Sequence, residues 1–396
     1  MKYDFTSILD RRGYAWAVDT LNDNPRPPKE GWNVIPMWVA DMSFPTCPTI
    51  PEAMIARANH PTFGYFSTSQ EYWNSIIDWQ TKRNGVKDLK RRDIGYENGV
   101  LGGVIAALSV LCSKGDNVLV HSPTYIGFTE SLENNGYNIV LSELIQDENG
   151  IYRMDYDDME KKIKKNRIHA TVFCSPHNPT GRVWEKWELE KAMAIFEKYD
   201  VYVVSDEIWS DLIRPGYKHI PTQSVNEWAR MHTVAQYAVT KTFNLAGLIG
   251  SYHIIYNTWL RHRIDKDSSL CHYNDINVFS QEALIAAYKP EGHEWLDELN
   301  QVLAQNADYV KSFLEKYGVK MPTPEGTYLL FADFSEYCEK TGKTLDEVEQ
   351  AMWDVGVSVQ DGREFHGPCH IRINVALPFA LIQEACDRME KYVFND

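Results

Sequence analysis

Four short stretches of the chain carry residue types that complete one another's chemistry. In "AVTKTFNLAGL", residues 238–248, a single lysine, Lys241, stands among small and apolar neighbours. Burying an unpaired ammonium is costly, whereas an amine kept neutral by its surroundings attacks carbonyls. A solvated lysine at a strand end is the plainer reading. In "VVSDEIWSDL" Asp206 closes an apolar run, where a carboxylate needs a cationic or donor partner. Capping of a helix by Ser205 or Asp206 is its plainer reading. "CSPHNPTGRVW", residues 174–184, sets Pro176, Asn178, Pro179 and Gly181 in one rigid turn able to hold a cis X–Pro bond. "ENGVLGGVIAAL" opens an apolar helix on glycines, and the N–H groups at a helix start bind phosphate. A tight turn into a buried helix has the same signature.

Together the four pieces match one cofactor. Pyridoxal phosphate takes a lysine for its aldehyde, an acid for its ring nitrogen, a partner for its phenolic oxygen and donors for its phosphate. Asp206 follows Asn178 by 28 residues and Lys241 follows Asp206 by 35. Each interval holds a helix and a strand, which is how adjacent strands of one sheet supply one pocket.

The elements that must position these groups are legible around them. "DNVLVHSP", "ATVFCSP", "DVYVVSDEI" and "SYHIIY" read as buried strands, and "EKWELEKAMAIFEKYD" (185–200) as an amphipathic helix between two of them. This alternation predicts an α/β sheet, with Ser122, Ser175 and Asp206 at the strand ends that face a ligand crevice. After about residue 285 a long helical pattern leads to a strand "TYLLFADF", a helix "TLDEVEQAMWDVG", a strand "HIRINVAL" and a last helix. The expected division is an N-terminal arm over 1–45 packing on the small domain, a large cofactor-binding domain over 46–285 and a small α+β domain over 286–396.

Composition narrows the class. The 396 residues are 44% hydrophobic and 24% charged, with a formal charge of −15, which argues against a nucleic-acid surface. "GVLGGVIAALSVLC" is too short for a membrane span, and the opening residues lack the apolar core of a signal peptide. Seven cysteines without a C-x-x-C pair suggest free thiols. The expectation is a cytoplasmic protein. His262, Asp265, Cys271 and His272 cluster in sequence but fit no zinc spacing, so no metal is expected.

The motifs, in order, resemble those of the class I/II aminotransferase superfamily of pyridoxal-phosphate enzymes, fold type I. "IPMWVADMSFPTCPTIPEAM" (35–54), "FGY" (63–65), "SPTY" (122–125), "NPTGRVW", "SDEI", "KTFNLAGLIGSY" and "PEGTYL" are most similar to its MalY/PatB-type cystathionine β-lyase or cysteine-S-conjugate β-lyase subgroup. The resemblance spans nearly the whole chain. It implies a mostly parallel, seven-stranded-type central sheet flanked by helices, with a smaller α+β domain. Lys241 would form the Schiff base, Asp206 would pair with the pyridinium nitrogen, Asn178 would bond the phenolic oxygen and Tyr125 would stack on the ring. The backbone at Val100 and Leu101 and the Thr240 hydroxyl would hold the phosphate, with Tyr65 reaching the neighbouring subunit's phosphate in a homodimer. Arg372 would grip the substrate α-carboxylate, with the Ala40 backbone close by.

Three positions depart from the family pattern. Trp209 stands where tyrosine or histidine is usual, Ala238 where many relatives have serine, and Ile249 where a phosphate-binding arginine is frequent. The implied reaction is β-elimination from L-cystathionine or another S-substituted L-cysteine, giving thiol, pyruvate and ammonia. Lys241 would take the Cα proton. Aminotransfer from an L-amino acid is the alternative. A cofactor-binding regulator is a third class, for which no DNA-binding module is visible in the sequence.

Overall fold

The computed structural model describes residues 1–19, 27–271 and 274–395. Its strands, in chain order, begin with β1 (Ile35–Pro36), β2 (Ile94–Glu97), β3 (Asn117–Ser122), β4 (Asn138–Gln146), β5 (Tyr152–Met154) and β6 (Ala170–Cys174). They continue with β7 (Tyr202–Asp206), β8 (Thr233–Tyr237), β9 (Ser251–Ile254), β10 (Leu329–Asp333), β11 (Val357–Ser358), β12 (Gln360–Asp361) and β13 (His370–Asn374).

One sheet takes the order β2–β9–β8–β7–β6–β3–β4–β5. From β4 through β3, β6 and β7 to β8 all neighbours are parallel. Strand β9 is antiparallel to both β8 and β2, and β5 returns antiparallel on β4. Seven strands thus make the central sheet, and the short β5 extends its edge.

Alternation along the strands explains the two covered faces. Val172 of β6 and Val204 of β7 pack with Val104 and Leu108 of the helix Val100–Leu111 on one face. Phe173 and Val203, one residue along, pack on the opposite face with Leu189 and Phe196 of the helix Lys186–Lys198. Side chains alternate with period two, so covering both faces requires a near-continuous apolar run. Strands β6 and β8 are buried along their whole length. Because β3, β6, β7 and β8 run the same way, their C-terminal ends share one edge. Asp206 ends β7 and the segments after β3, β6 and β8 carry Tyr125, Asn178 and Lys241, so parallel pairing brings four distant motifs together.

The helix Pro290–Glu315 leads away from this sheet to a second one, ordered β10–β13–β12. Its register places Phe331 and Gln360 on either side of Arg372. Strand β1 pairs in parallel with β11, and Phe5 packs edge-on against Phe44 at 5.3 Å and tilted against Trp295 at 5.5 Å. His272 lies outside the described residues. Asp265, its sequence neighbour, lies 3.2 Å from the buried His253 of β9.

Candidate active site

The parallel strand ends open onto a cavity of about 230 Å³ lined by Ala40, the turn Asn98–Gly102, Tyr125, Phe128, Cys174, Asn178, Asp206, Ile208, Trp209 and Lys241. Seven of the residues expected from sequence therefore share one wall: Ala40, Val100, Leu101, Tyr125, Asn178, Asp206 and Lys241.

Local chemistry sets each of them. The helix Val100–Leu111 begins at Gly99, whose φ of 80° suits glycine, and no side chain caps it. Its first N–H groups are therefore free for a ligand at the positive end of the helix dipole. A Cβ at Gly102 would meet nothing within 4 Å, leaving that space open, while one at Gly103 would strike the Gln236 side chain at 2.4 Å. One glycine clears the cradle and the next lets the helix lie close on β8.

Asn178 sits in the rigid turn after β6, in which Ser175–Pro176 and Asn178–Pro179 are both cis. Buried Arg182 ties this turn to Glu188 and to Glu325. Asp206 ends β7 with Oδ1 accepting the Ile208 N–H at 3.0 Å. Burial, reinforced by Glu207, raises its carboxyl to about 7, with the Ile208 N–H and Lys241 opposing the rise. An acid so placed gains most from a cation brought beside it.

Lys241 rides on the single turn Val239–Thr242, too short to be stable alone. Two clamps hold that turn. Asn244, at φ 57°, accepts the Met42 N–H and donates to the Met42 and Phe44 carbonyls. Thr242 donates to buried Asp211, which also accepts the Trp79 indole N–H. Lys241 Nζ then donates to the Ala40 carbonyl at 2.6 Å, a carbonyl shared with the Tyr328 hydroxyl at 2.9 Å. Burial, with Arg372 nearby, lowers the ammonium to about 8, against the pull of Asp41 and Asp206. The lysine is no surface residue; with its ammonium lowered to about 8, roughly a tenth is free amine at pH 7.

Arg372 is buried on β13, with its guanidinium carbon 4.3 Å from the Phe365 ring centroid. It donates to the Trp38 carbonyl at 3.1 Å, to Asn178 Oδ1 at 3.4 Å and to Gln360. Its Nε has no hydrogen-bond partner, and no carboxylate among the described residues pairs with it. A buried guanidinium bonded only to neutral groups is a ready receptor for a carboxylate.

Two expected residues lie apart. Thr240 is on the Lys241 turn, partly exposed. Tyr65 is fully exposed, beside Phe63 and Phe66. Of the departures, Trp209 is buried edge-on against Tyr328 at 4.8 Å, with Lys241 Nζ 5.8 Å from its ring centroid. Ala238 is buried at the start of the Lys241 turn. Ile249 places only a methyl beside the cradle, 3.9 Å from where a Gly99 Cβ would stand. Sequence reading assigned no role to Tyr328, Asp211 or Gln360, although Tyr328 lies within "PEGTYL" and Asp211 within "VVSDEIWSDL".

The donor set fits pyridoxal phosphate. It combines an uncapped helix start, a buried acid with a single hydrogen-bond donor on it, and a partly deprotonated lysine on the same wall.

Comparison with known proteins agrees with this geometry. The family model for aminotransferase class I and II matches residues 33–389. The chain is 33% identical to cystathionine beta-lyase PatB of Bacillus subtilis, covering 90% of this chain and 92% of that one. It superposes on cystalysin of Treponema denticola, a crystal structure containing pyridoxal 5'-phosphate, with a TM-score of 0.91 at 33% identity, over 99% and 98% of the two chains. It also superposes on the pyridoxal-phosphate-bound C–S lyase of Staphylococcus hominis, with a TM-score of 0.88 at 32% identity over the full length of both. The fold is that of the type I pyridoxal-phosphate enzymes, and the chain belongs to the class I and II aminotransferase family.

Proposed function

We propose that this protein is a pyridoxal-phosphate-dependent carbon–sulfur β-lyase. It would act on L-cystathionine or an S-substituted L-cysteine and release thiol, pyruvate and ammonia. The observation that carries the reading is a single wall holding Lys241, Asp206 and Asn178, with Arg372, unpaired by any acid among the described residues, bonded to that same Asn178. The similarity to lyases over whole chains supports elimination as the outcome.

Lys241, Asp206, Asn178, Tyr125, the Val100 and Leu101 N–H groups and Thr240 would hold the cofactor. When bound, pyridoxal phosphate supplies the electron sink for charge left on the substrate Cα. Arg372 receives the α-carboxylate and so fixes which Cα bond faces Lys241. Lys241, with its ammonium lowered to about 8, takes the Cα proton as a free amine. Asp206 keeps a proton on the ring nitrogen. Apolar Phe128, Ile208 and Trp209 exclude water from the wall around these groups.

Tyr65 would complete the phosphate site of a second copy of the chain, making a homodimer with shared active sites. Full exposure of Tyr65 next to exposed Phe63 and Phe66 supports this, since contiguous bare aromatics mark contact surfaces. The division at residues 45 and 285 is retained, supported by the separation of the eight-stranded sheet from the three-stranded one. No helix among the described residues is long and apolar enough to cross a membrane. A cytoplasmic enzyme acting on a small amino acid fits that fact.

The test is turnover of a panel of S-substituted cysteines without any oxo-acid. Steady release of pyruvate, ammonia and thiol is expected. Product formation that stops after one equivalent, and resumes only with 2-oxoglutarate, would establish the aminotransferase reading instead. A second expected result concerns Arg372→Lys. KM for an α-amino acid rises by about tenfold or more, because one ammonium cannot reproduce a two-pronged grip on a carboxylate. An unchanged KM would move the carboxylate site elsewhere.

A further inference from the structure

Away from the cavity, two half-buried thiols touch. Cys338 lies on the helix Ser335–Thr341, and Cys369 is the residue immediately before β13. Their sulfurs are 3.9 Å apart. The backbone holds them there through one residue. Phe334 donates its N–H to the Cys369 carbonyl at 2.9 Å, and its own carbonyl accepts the Cys338 N–H, also at 2.9 Å. Asp333 pairs with His370 in the β10–β13 ladder, so Phe334 and Cys369 stand opposite each other just past its end. Cys338 sits one helical turn further along. A disulfide spans about 2.05 Å between sulfurs. The two sulfurs have to approach by roughly 2 Å for the bond to form.

We propose that Cys338 and Cys369 form a reversible disulfide, a modification site for low-molecular-weight disulfides that fastens the helix Ser335–Thr341 to the start of the strand bearing Arg372. One cysteine thiolate attacks a sulfur of the small disulfide, whose S–S bond breaks and releases one small thiol. The second cysteine thiolate attacks the protein sulfur of that mixed disulfide and releases the second small thiol. Two protein thiols are oxidised while one small disulfide is reduced, so protons and electrons balance.

Reactivity follows from the surroundings. Burial, and then the neighbouring Cys369 thiol, pushes Cys338 up to about 11; Asp333 and Glu347 add to the rise. The two sulfurs are 3.9 Å apart, so whichever thiol is captured first as the mixed disulfide is resolved by the other. Of the other described cysteines, Cys47, Cys174 and Cys386 are buried, and Cys112 has its thiol raised to about 11 by burial.

The test is to incubate the cofactor-loaded enzyme with oxidised glutathione at pH 7, 8 and 9 and to map peptides without reduction. A Cys338–Cys369 linked peptide is expected, forming faster at each higher pH and lost on adding dithiothreitol. Its formation should raise Tm by a few degrees, since it closes a loop of about 30 residues. Cys338→Ser should stop the reaction at glutathionylated Cys369. Stable single glutathione adducts on the parent, or no reaction at either cysteine, would overturn the disulfide. A linked peptide with an unchanged Tm would overturn the fastening role.

Discussion

Lys241→Ala should lose at least about 10³-fold in turnover, because it removes the amine that lines the cavity beside Asp206, the proposed anchor and base. No other lysine is among the described residues that line the cavity. The other cation at the site, Arg372, stays protonated throughout the working range even with its guanidinium lowered to about 10. The parent should retain pyridoxal phosphate covalently after mild borohydride reduction, with the label on the Lys241 peptide; the variant should not. A label on a different lysine would falsify the assignment. The chain without cofactor offers an independent check. Lys241 should react with an acylating reagent with a midpoint near pH 8, well below that of a solvated lysine, because burial disfavours its ammonium. Rate should rise with pH through that midpoint, as the neutral amine is the reactive form.

Much of this site could be read from the sequence, for a definite physical reason. Asp206 closes and Asn178 follows a strand of near-continuous apolar residues, both local patterns, while Lys241 stands out as a lone cation among small and apolar neighbours. Parallel pairing of β6, β7 and β8 then requires the three ends to converge. The glycine-led helix start is likewise local, visible in "ENGVLGGVIAAL". Strands β4 and β8 were not legible. Strand β4 lies at the sheet margin with only Ser142 and Leu144 buried, and β8 carries the buried amide of Gln236 within its apolar run.

What joins distant segments was also illegible. Ala40 faces Lys241 only because Asn244 and Asn374 bind the 39–44 backbone, Asn374 donating to the Val39 and Asp41 carbonyls. No spacing in the chain announces those bonds. Gln360 reaches Arg372 through sheet register, and Tyr328 reaches Ala40 across 288 residues. The resemblance placed Ala40 near the substrate carboxylate; in the structure its carbonyl is the acceptor that holds the free lysine.

Asp206→Ala should lose about 10²-fold or more in turnover while keeping part of the cofactor, since the phosphate cradle and Lys241 remain. The carboxylate is buried, and its own burial makes ionisation unfavourable, with a carboxyl near 7 instead of the usual 3.8. Linkage fixes the sign. A folded-state value raised above the unfolded one adds stability that is full below pH 3.8 and is lost as pH rises through about 7. Near neutral pH the cofactor-free fold therefore holds this charge at a cost, which a protonated ring nitrogen beside it offsets. Alanine should make the cofactor-free protein more resistant to heat at pH 8 than the parent, and the difference should shrink toward pH 5. The same substitution should depress catalysis at every pH. It also removes a negative charge that favours the Lys241 ammonium, so the Lys241 acylation midpoint should fall further. A local cap of the Ile208 N–H, the other role open to this residue, predicts the reverse pattern: lower heat resistance, turnover near the parent's and an unmoved Lys241 midpoint. Measuring heat resistance, turnover and the lysine midpoint on one variant thus separates a charge kept for the cofactor from one kept for the turn.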